Sequence, residues 1–134
     1  MLARVKARAS RLWRDFKLTL SDWDLIFSFQ GKVCAICQKK KHIYHTDHDH
    51  ETGMIRGILC SQCNRALGKA QDPRWQWTPQ CFLNAYRYLS RPPAVDALQR
   101  KAYTFPGRLG TKRHRDWLKQ NRATLETPNE ERKT

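Results

Sequence analysis

The sequence predicts a small α+β fold stapled by a metal, and three observations carry that prediction. Cys34, Cys37, Cys60 and Cys63 form two CxxC pairs separated by the 22 residues 38–59, close to the spacing of tetrahedral four-thiolate zinc sites. Between the pairs, β-branched residues flank the turn candidate "ETG" in the pattern of a hairpin. On either side lie helical segments with clear end signals. At 134 residues and 40% hydrophobic content the chain suffices for one domain with a modest core, so an added metal staple is physically reasonable.

In chain order, residues 1–17 are basic and read as a helical or loosely ordered segment, either frayed or in contact with a partner. The core, residues 18–70, opens on "TLSDWDLIFSFQG": Thr19 caps a helix, Asp22 suits its first turn, Trp23, Ile26 and Phe27 share a face, and Gly31 ends it. Strands are expected near Ile43 to His50 and Met54 to Leu59, followed by a short helix from about Ser61 to Lys69 with Gly68 near its end. Residues 71–98 form a helical extension behind the loop "AQDPRWQW". In it Thr78 is the cap, Pro79 the first helical residue, and Pro92 and Pro93 the stop. Phe82, Leu83, Tyr86 and Leu89 are expected on its buried side, with Cys81 as a small core residue. Residues 99–134 are a basic tail, whose last stretch, "ETPNEERKT", has the composition of disorder.

Charge narrows the partner. Lys and Arg number 26 against 12 Asp and Glu, a balance of +14, which favours a polyanion because neutralised phosphates release counterions. Nucleic acid leads; a merely soluble basic protein is the plainer alternative. No segment is apolar enough to span a bilayer, and the start lacks the apolar stretch of a secretory signal. Five cysteines, four of them paired as CxxC, fit metal binding in a reducing cytoplasm better than a disulfide framework.

Four thiolates saturate a zinc ion, so the site supplies stability and no open position for chemistry. That leaves "HTDHDH" unassigned. Asp47, Asp49 and the carboxamide oxygen of Asn64 are hard oxygen donors suited to Mg²⁺ or Mn²⁺, and His48 can accept a proton from water near neutral pH. A base beside such a cation is the equipment for phosphodiester hydrolysis. Because Asn64 follows Cys63, the zinc knot would fix the turn that carries this ligand. The competing readings are a second zinc held by His48 and His50, or a polar turn.

The run "CAIC" followed by "HTDHDHETGMIRGILCSQCNRALG", with the lead-in "LTLSDWDLIFSFQGKV", resembles the recombination endonuclease VII family of bacteriophages, a branch of the HNH or His-Me finger nucleases. The resemblance covers about residues 18 to 70 and, more loosely, the helix from Pro79 to Ser90. It implies a ββα-metal core. It also implies that His48 is the general base, that Asp47 and Asn64 hold the catalytic Mg²⁺ or Mn²⁺, and that Cys34, Cys37, Cys60 and Cys63 hold structural Zn²⁺. His50 falls where the family has a further active-site histidine, with His45 near enough to assist and Asp49 as an acceptor orienting a histidine. In an ideal strand Asp47 and Asp49 lie opposite His48 and His50, so Asp47 and His48 could not share one phosphate. Either the strand is irregular there or one assignment fails; the resemblance implies distortion.

The function expected from this resemblance is metal-dependent endonuclease action on DNA, structure-selective for Holliday junctions or other branches. Two nicks per junction imply a homodimer, with the Pro79 to Ser90 helix as its natural element. One alternative is an HNH nicking or homing endonuclease on ordinary duplex; the other is a non-catalytic zinc module that only binds nucleic acid. Arg56 is a candidate phosphate clamp, or else a surface residue beside Glu51. Arg108, Lys112, Arg113 and Arg115 of the tail are candidate DNA contacts. The expected compartment is the cytoplasm, that of the host if a phage encodes the chain.

Overall fold

Two helices lead into the sheet. The computed structural model describes residues 1–68 and 78–122; the expected loop at 70–77 and the expected disorder at 126–134 lie outside these. Helix α1, Leu2–Phe16, carries Arg4, Lys6, Arg8, Arg11 and Arg14, buries Leu12, and ends where Lys17 turns left-handed at φ 56°. Helix α2, Leu20–Phe29, starts in the capping box the sequence predicts: the Thr19 hydroxyl accepts from Asp22 N–H and the Asp22 carboxylate accepts from Thr19 N–H, both at 3.0 Å. Ile26 is fully buried, with Trp23 and Phe27 packed beside it, and Gly31 leaves the helix at φ 74°.

The hairpin is shorter than expected. Strands β1, Tyr44–His48, and β2, Ile55–Cys60, pair antiparallel as a two-stranded sheet, and Ile43 is left outside, exposed. The turn between them is held by Asp49, whose Oδ1 accepts from Glu51 and Thr52 N–H at 2.8 and 3.0 Å. Gly53 is obligatory there: φ is 77°, and a Cβ would sit 2.2 Å from the Thr104 carbonyl oxygen. The register runs Tyr44 to Cys60, His45 to Leu59, Thr46 to Ile58 and Asp47 to Gly57, then shifts so that His48 faces Ile55. Arg56 is therefore the extra residue of a bulge.

Helix α3, Ser61–Gly68, follows β2 directly. Helix α4, Pro79–Ser90, is capped by Thr78, whose hydroxyl accepts from Cys81 N–H at 3.3 Å, with Pro79 in its first turn. Its orientation departs from expectation. Asn84, Ala85 and Tyr88 are buried, whereas Phe82, Leu83, Tyr86 and Leu89 are 44–70% exposed. The buried face is chosen by polar contacts that periodicity does not register: Asn84 Nδ2 donates to the Ile36 carbonyl at 2.7 Å, and Tyr88 reaches β1.

Beyond Pro92 the chain folds further than a basic tail suggests. Helix α5, Pro93–Leu98, packs on α2 and β2. Residues 102–104 then run antiparallel beside the hairpin turn, with Ile55 N–H donating to Ala102 O and Thr104 N–H to Gly53 O, both at 2.7 Å. The Thr104 hydroxyl also bonds the Asp15 carbonyl, tying this strap to α1. Helix α6, Lys112–Gln120, seats His114 and Trp117 against the buried Phe105 ring. Among the described residues there are thus six helices and a two-stranded sheet, a small α+β arrangement. Two apolar clusters flank the sheet: one joins Cys34, Ile36, Leu59, Cys60 and Cys63 to Ala85 and Tyr88, the other joins Leu18, Ile26, Ile55 and Ile58 to Ala94 and Ala102.

Candidate active site and metal centre

The four cysteines come together as their spacing predicts. Cys34 and Cys37 lie on a knuckle closed by Gln38 N–H donating to Cys34 O at 2.9 Å, Cys60 ends β2, and Cys63 stands in the first turn of α3. Their sulfur atoms all lie within 4.8 Å of one another, and Cys37 and Cys60 are 3.9 Å apart. Four thiolates about 2.3 Å from a tetrahedral zinc ion would be about 3.8 Å apart, so the cluster could hold a metal such as zinc with small adjustment. Its electrostatics ask for one. The Cys63 hydrogen bond holds the Cys34 thiol down to about 4, while burial pushes Cys37 up to about 11 and the bond to Cys34 drives Cys63 far higher. One thiolate is stabilised at its neighbours' expense; a divalent cation would favour all four.

An open cleft of about 960 Å³ includes Asp47, His48, His50 and Asn64 in its lining. The bulge makes this possible. In a regular strand Asp47 and His48 would face opposite ways, but the register shift between them leaves both 6% exposed and both on the cleft. The His48 Nε2–H donates to the Gly107 carbonyl at 2.8 Å, which fixes the tautomer and leaves Nδ1 as the lone-pair nitrogen. Burial lowers the His48 pKa below its ordinary 6.5, opposed by the Gly107 carbonyl and assisted by His50, whose ring is 4.8 Å away. Neutral imidazole is the favoured form near pH 7.

Asp47 is already well partnered. Its Oδ2 accepts from Arg56 Nε and from the Tyr88 hydroxyl, each at 2.7 Å, and its Oδ1 accepts from Arg56 NH2 at 3.1 Å. Arg56 also donates to the His48 carbonyl at 3.3 Å and lies 3.9 Å from Asp49. Arg56 thus has internal partners, and Glu51 is not among them. Asp49 likewise serves the turn; its hydrogen bonds from Thr52 and Glu51 N–H help to lower its pKa. His45 lines the cleft with its Nε2 2.9 Å from the Ser61 hydroxyl.

Of the expected DNA contacts, Arg108 lines the cleft. Lys112, Arg113 and Arg115 are exposed on α6 and do not: Lys112 pairs with Asp116 at 2.9 Å, Arg113 lies over the Phe105 ring, and Arg115 donates to Gly110 O. The cleft's other basic wall is α1, through Arg8, which stacks on Trp23, and Arg11. Residue-by-residue reading of the sequence missed Tyr88 and the Gly107 carbonyl, which act on β1 from 41 and 59 residues away and leave no local signal.

Fold and site together define a small α+β protein in which a metal-capable cysteine cluster borders a cleft carrying imidazole, carboxylate and carboxamide. The chain belongs to the recombination endonuclease VII family, whose family model matches residues 9–91. It is 39% identical over 101 residues to the Gene 59 protein of Mycobacterium phage L5 and 37% identical to that of Mycobacterium phage D29. Each match covers 69% of this chain and 58% of the relative, so the chain spans less than two thirds of these proteins. No solved structure gives a significant match. The strap and α6 lie beyond the family match.

Proposed function

We propose that the chain is a metal-dependent DNA endonuclease of the His-Me finger type, with β1, β2 and α3 as its ββα-metal core and branched DNA such as a Holliday junction as its preferred substrate. The observation that carries this reading is the convergence of His48, His50, Asp47 and Asn64 on one cleft beside the cysteine cluster. His48 Nδ1 takes the proton of the attacking water; the Gly107 carbonyl holds the ring in the tautomer that permits it. Asp47 and Asn64, a carboxylate and a carboxamide, are the hard donors that would hold Mg²⁺ or Mn²⁺. When bound, that cation supplies charge neutralisation at the scissile phosphate and the departing 3′ oxygen. Zn²⁺ held by the four cysteines would be structural and would fix the first turn of α3, where Asn64 follows Cys63. His50 contacts the phosphate.

Preference for branches rests on family membership, and it requires two active sites. The exposed apolar face of α4, with Phe82, Leu83, Tyr86 and Leu89, supports a homodimer through that helix. No helix among the described residues is long and apolar enough to cross a membrane, consistent with action on DNA in the host cytoplasm.

The test is cleavage, with Mg²⁺, of a labelled four-way junction and a linear duplex of matching sequence. Preferential cutting of the junction is the expected result; equal cutting would transfer the chain to the duplex-nicking class. His48→Ala should lower the cleavage rate by at least about 100-fold while DNA binding and zinc content stay unchanged. Binding by the parent chain with no scission under any divalent cation would leave only a nucleic-acid-binding module.

A further inference from the structure

The backbone around Asp47 is shaped to admit two side chains, and neither is needed for the strand pairing itself. Asp47 faces Gly57 across the hairpin, and the register shift leaves Arg56 beside it as the unpaired residue. Gly57 is not required for a left-handed turn; what it provides is space. A Cβ there would stand 2.8 Å from Tyr88 Cε2 and 2.8 Å from Pro93 Cγ. Through that opening the Tyr88 ring, carried on α4 and 3% exposed, brings its hydroxyl to Asp47 Oδ2 at 2.7 Å.

Together the two donors nearly saturate the carboxylate. An ionised carboxylate offers roughly four acceptor positions, two on each oxygen. Oδ2 takes Arg56 Nε and the Tyr88 hydroxyl; Oδ1 takes Arg56 NH2. One position is left, on Oδ1. Stability alone is a poor reason for such an arrangement, because a buried ion pair contributes little over well-packed apolar side chains. Orientation is a better one: a guanidinium fork and a phenol on the same carboxylate suppress rotation about its Cβ–Cγ bond.

We propose that Tyr88 and Arg56 are positioning residues that lock the Asp47 carboxylate so that a single oxygen, Oδ1, is offered to a divalent cation, with Gly57 as the gap that lets the phenol in. This rests on the reading of Asp47 as a metal ligand. It also makes α4 part of the metal site, since the helix with the exposed apolar face is the one that holds the ligand from behind.

Mn²⁺ binding to the zinc-loaded, DNA-free protein, followed by the electron paramagnetic resonance of free Mn²⁺, tests the proposal without any cleavage assay. Tyr88→Phe keeps ring packing and charge and removes one hydroxyl. It should weaken Mn²⁺ binding about tenfold, the lower end for loss of a hydrogen bond behind a metal ligand, with zinc stoichiometry unchanged. Arg56→Lys keeps charge and loses the fork, and Gly57→Ala displaces the phenol; both should move the affinity the same way. If Asp47→Asn loses Mn²⁺ while Tyr88→Phe and Arg56→Lys bind as the parent does, the positioning role is overturned and the ligand reading survives. Should Asp47→Asn itself bind Mn²⁺ like the parent, the ligand reading fails and the positioning role fails with it.

Discussion

The proposed reaction needs a base, and the surroundings of His48 suit it to that part. Burial disfavours the imidazolium and His50 adds to that, so the folded pKa lies below 6.5. A general base acts in its neutral form; cleavage should therefore fall along an acidic limb whose midpoint lies below 6.5. The pH profile of kcat/KM checks this, and a midpoint above 6.5 would contradict the burial argument. Stability moves in a matching sense. Below pH 6.5 the unfolded chain binds a proton at this position that the folded chain does not, so stability falls as pH drops from 6.5 and levels once the folded His48 titrates. His114, also lowered by burial, contributes in the same direction. The candidate ligands around His48 were legible because they crowd into 18 residues, from Asp47 to Asn64. The bulge was legible only as a conflict: alternation and chemistry could not both hold at Asp47 and His48, and the structure resolves this by breaking the alternation.

At the scale of elements, α4 teaches the sharper lesson. Its boundaries follow from Thr78, Pro79 and the Pro92–Pro93 stop, all local signals, and the structure keeps them. Its facing does not, because a hydrophobic stripe says that something apolar covers it without saying what. Here Asn84 and Tyr88 turn inward to satisfy Ile36 O and Asp47, and the apolar stripe turns outward. Such a face on a helix calls for a partner, and a second copy placing two clefts on one substrate is the occupant the proposed function requires. Tyr86 and Leu89, 70% and 46% exposed, would then be covered in a dimer. Burying a large apolar side chain fully is worth about 1.5–3 kcal/mol, so Tyr86→Glu with Leu89→Lys should raise the dimer dissociation constant at least about 100-fold. Light scattering across a concentration series reads the mass; the parent should approach twice the chain mass and the variant should stay at one. A parent that remains monomeric at high concentration would remove α4 as a dimer element. The strap and α6 were illegible for a different reason: their charge reads as a solvated tail, and the contacts that fold them, Ala102 to Ile55 and Phe105 to His114 and Trp117, are either long-range or hidden among cations.

Across the whole molecule, the family core is wrapped by parts that lie largely outside it. The strap pairs with the hairpin turn and bonds α1 at Asp15, and Gly107 just after it meets His48, so the N-terminal helix and the chain beyond α5 meet around one cleft. Both bring cations to it: Arg8 and Arg11 from one side and Arg108 from the other. With a net charge of +14 over the chain and these arginines on the cleft, binding to the DNA backbone would release counterions, which gives each phosphate contact a slope of about −0.9 in log affinity against log salt. Steep salt dependence is expected for the parent. Replacing Arg8, Arg11 and Arg108 together by Ala should flatten the slope by about 2 to 3 and weaken binding about equally on junction and duplex, because phosphate contacts carry no sequence or shape code of their own. Neutralising Lys112, Arg113 and Arg115 on α6, which do not line the cleft, is the control that separates local from overall charge. If that α6 variant flattens the slope as much as the cleft variant does, net charge governs binding and the cleft has no privileged grip on DNA; a change confined to Arg8, Arg11 and Arg108 places the backbone path across His48.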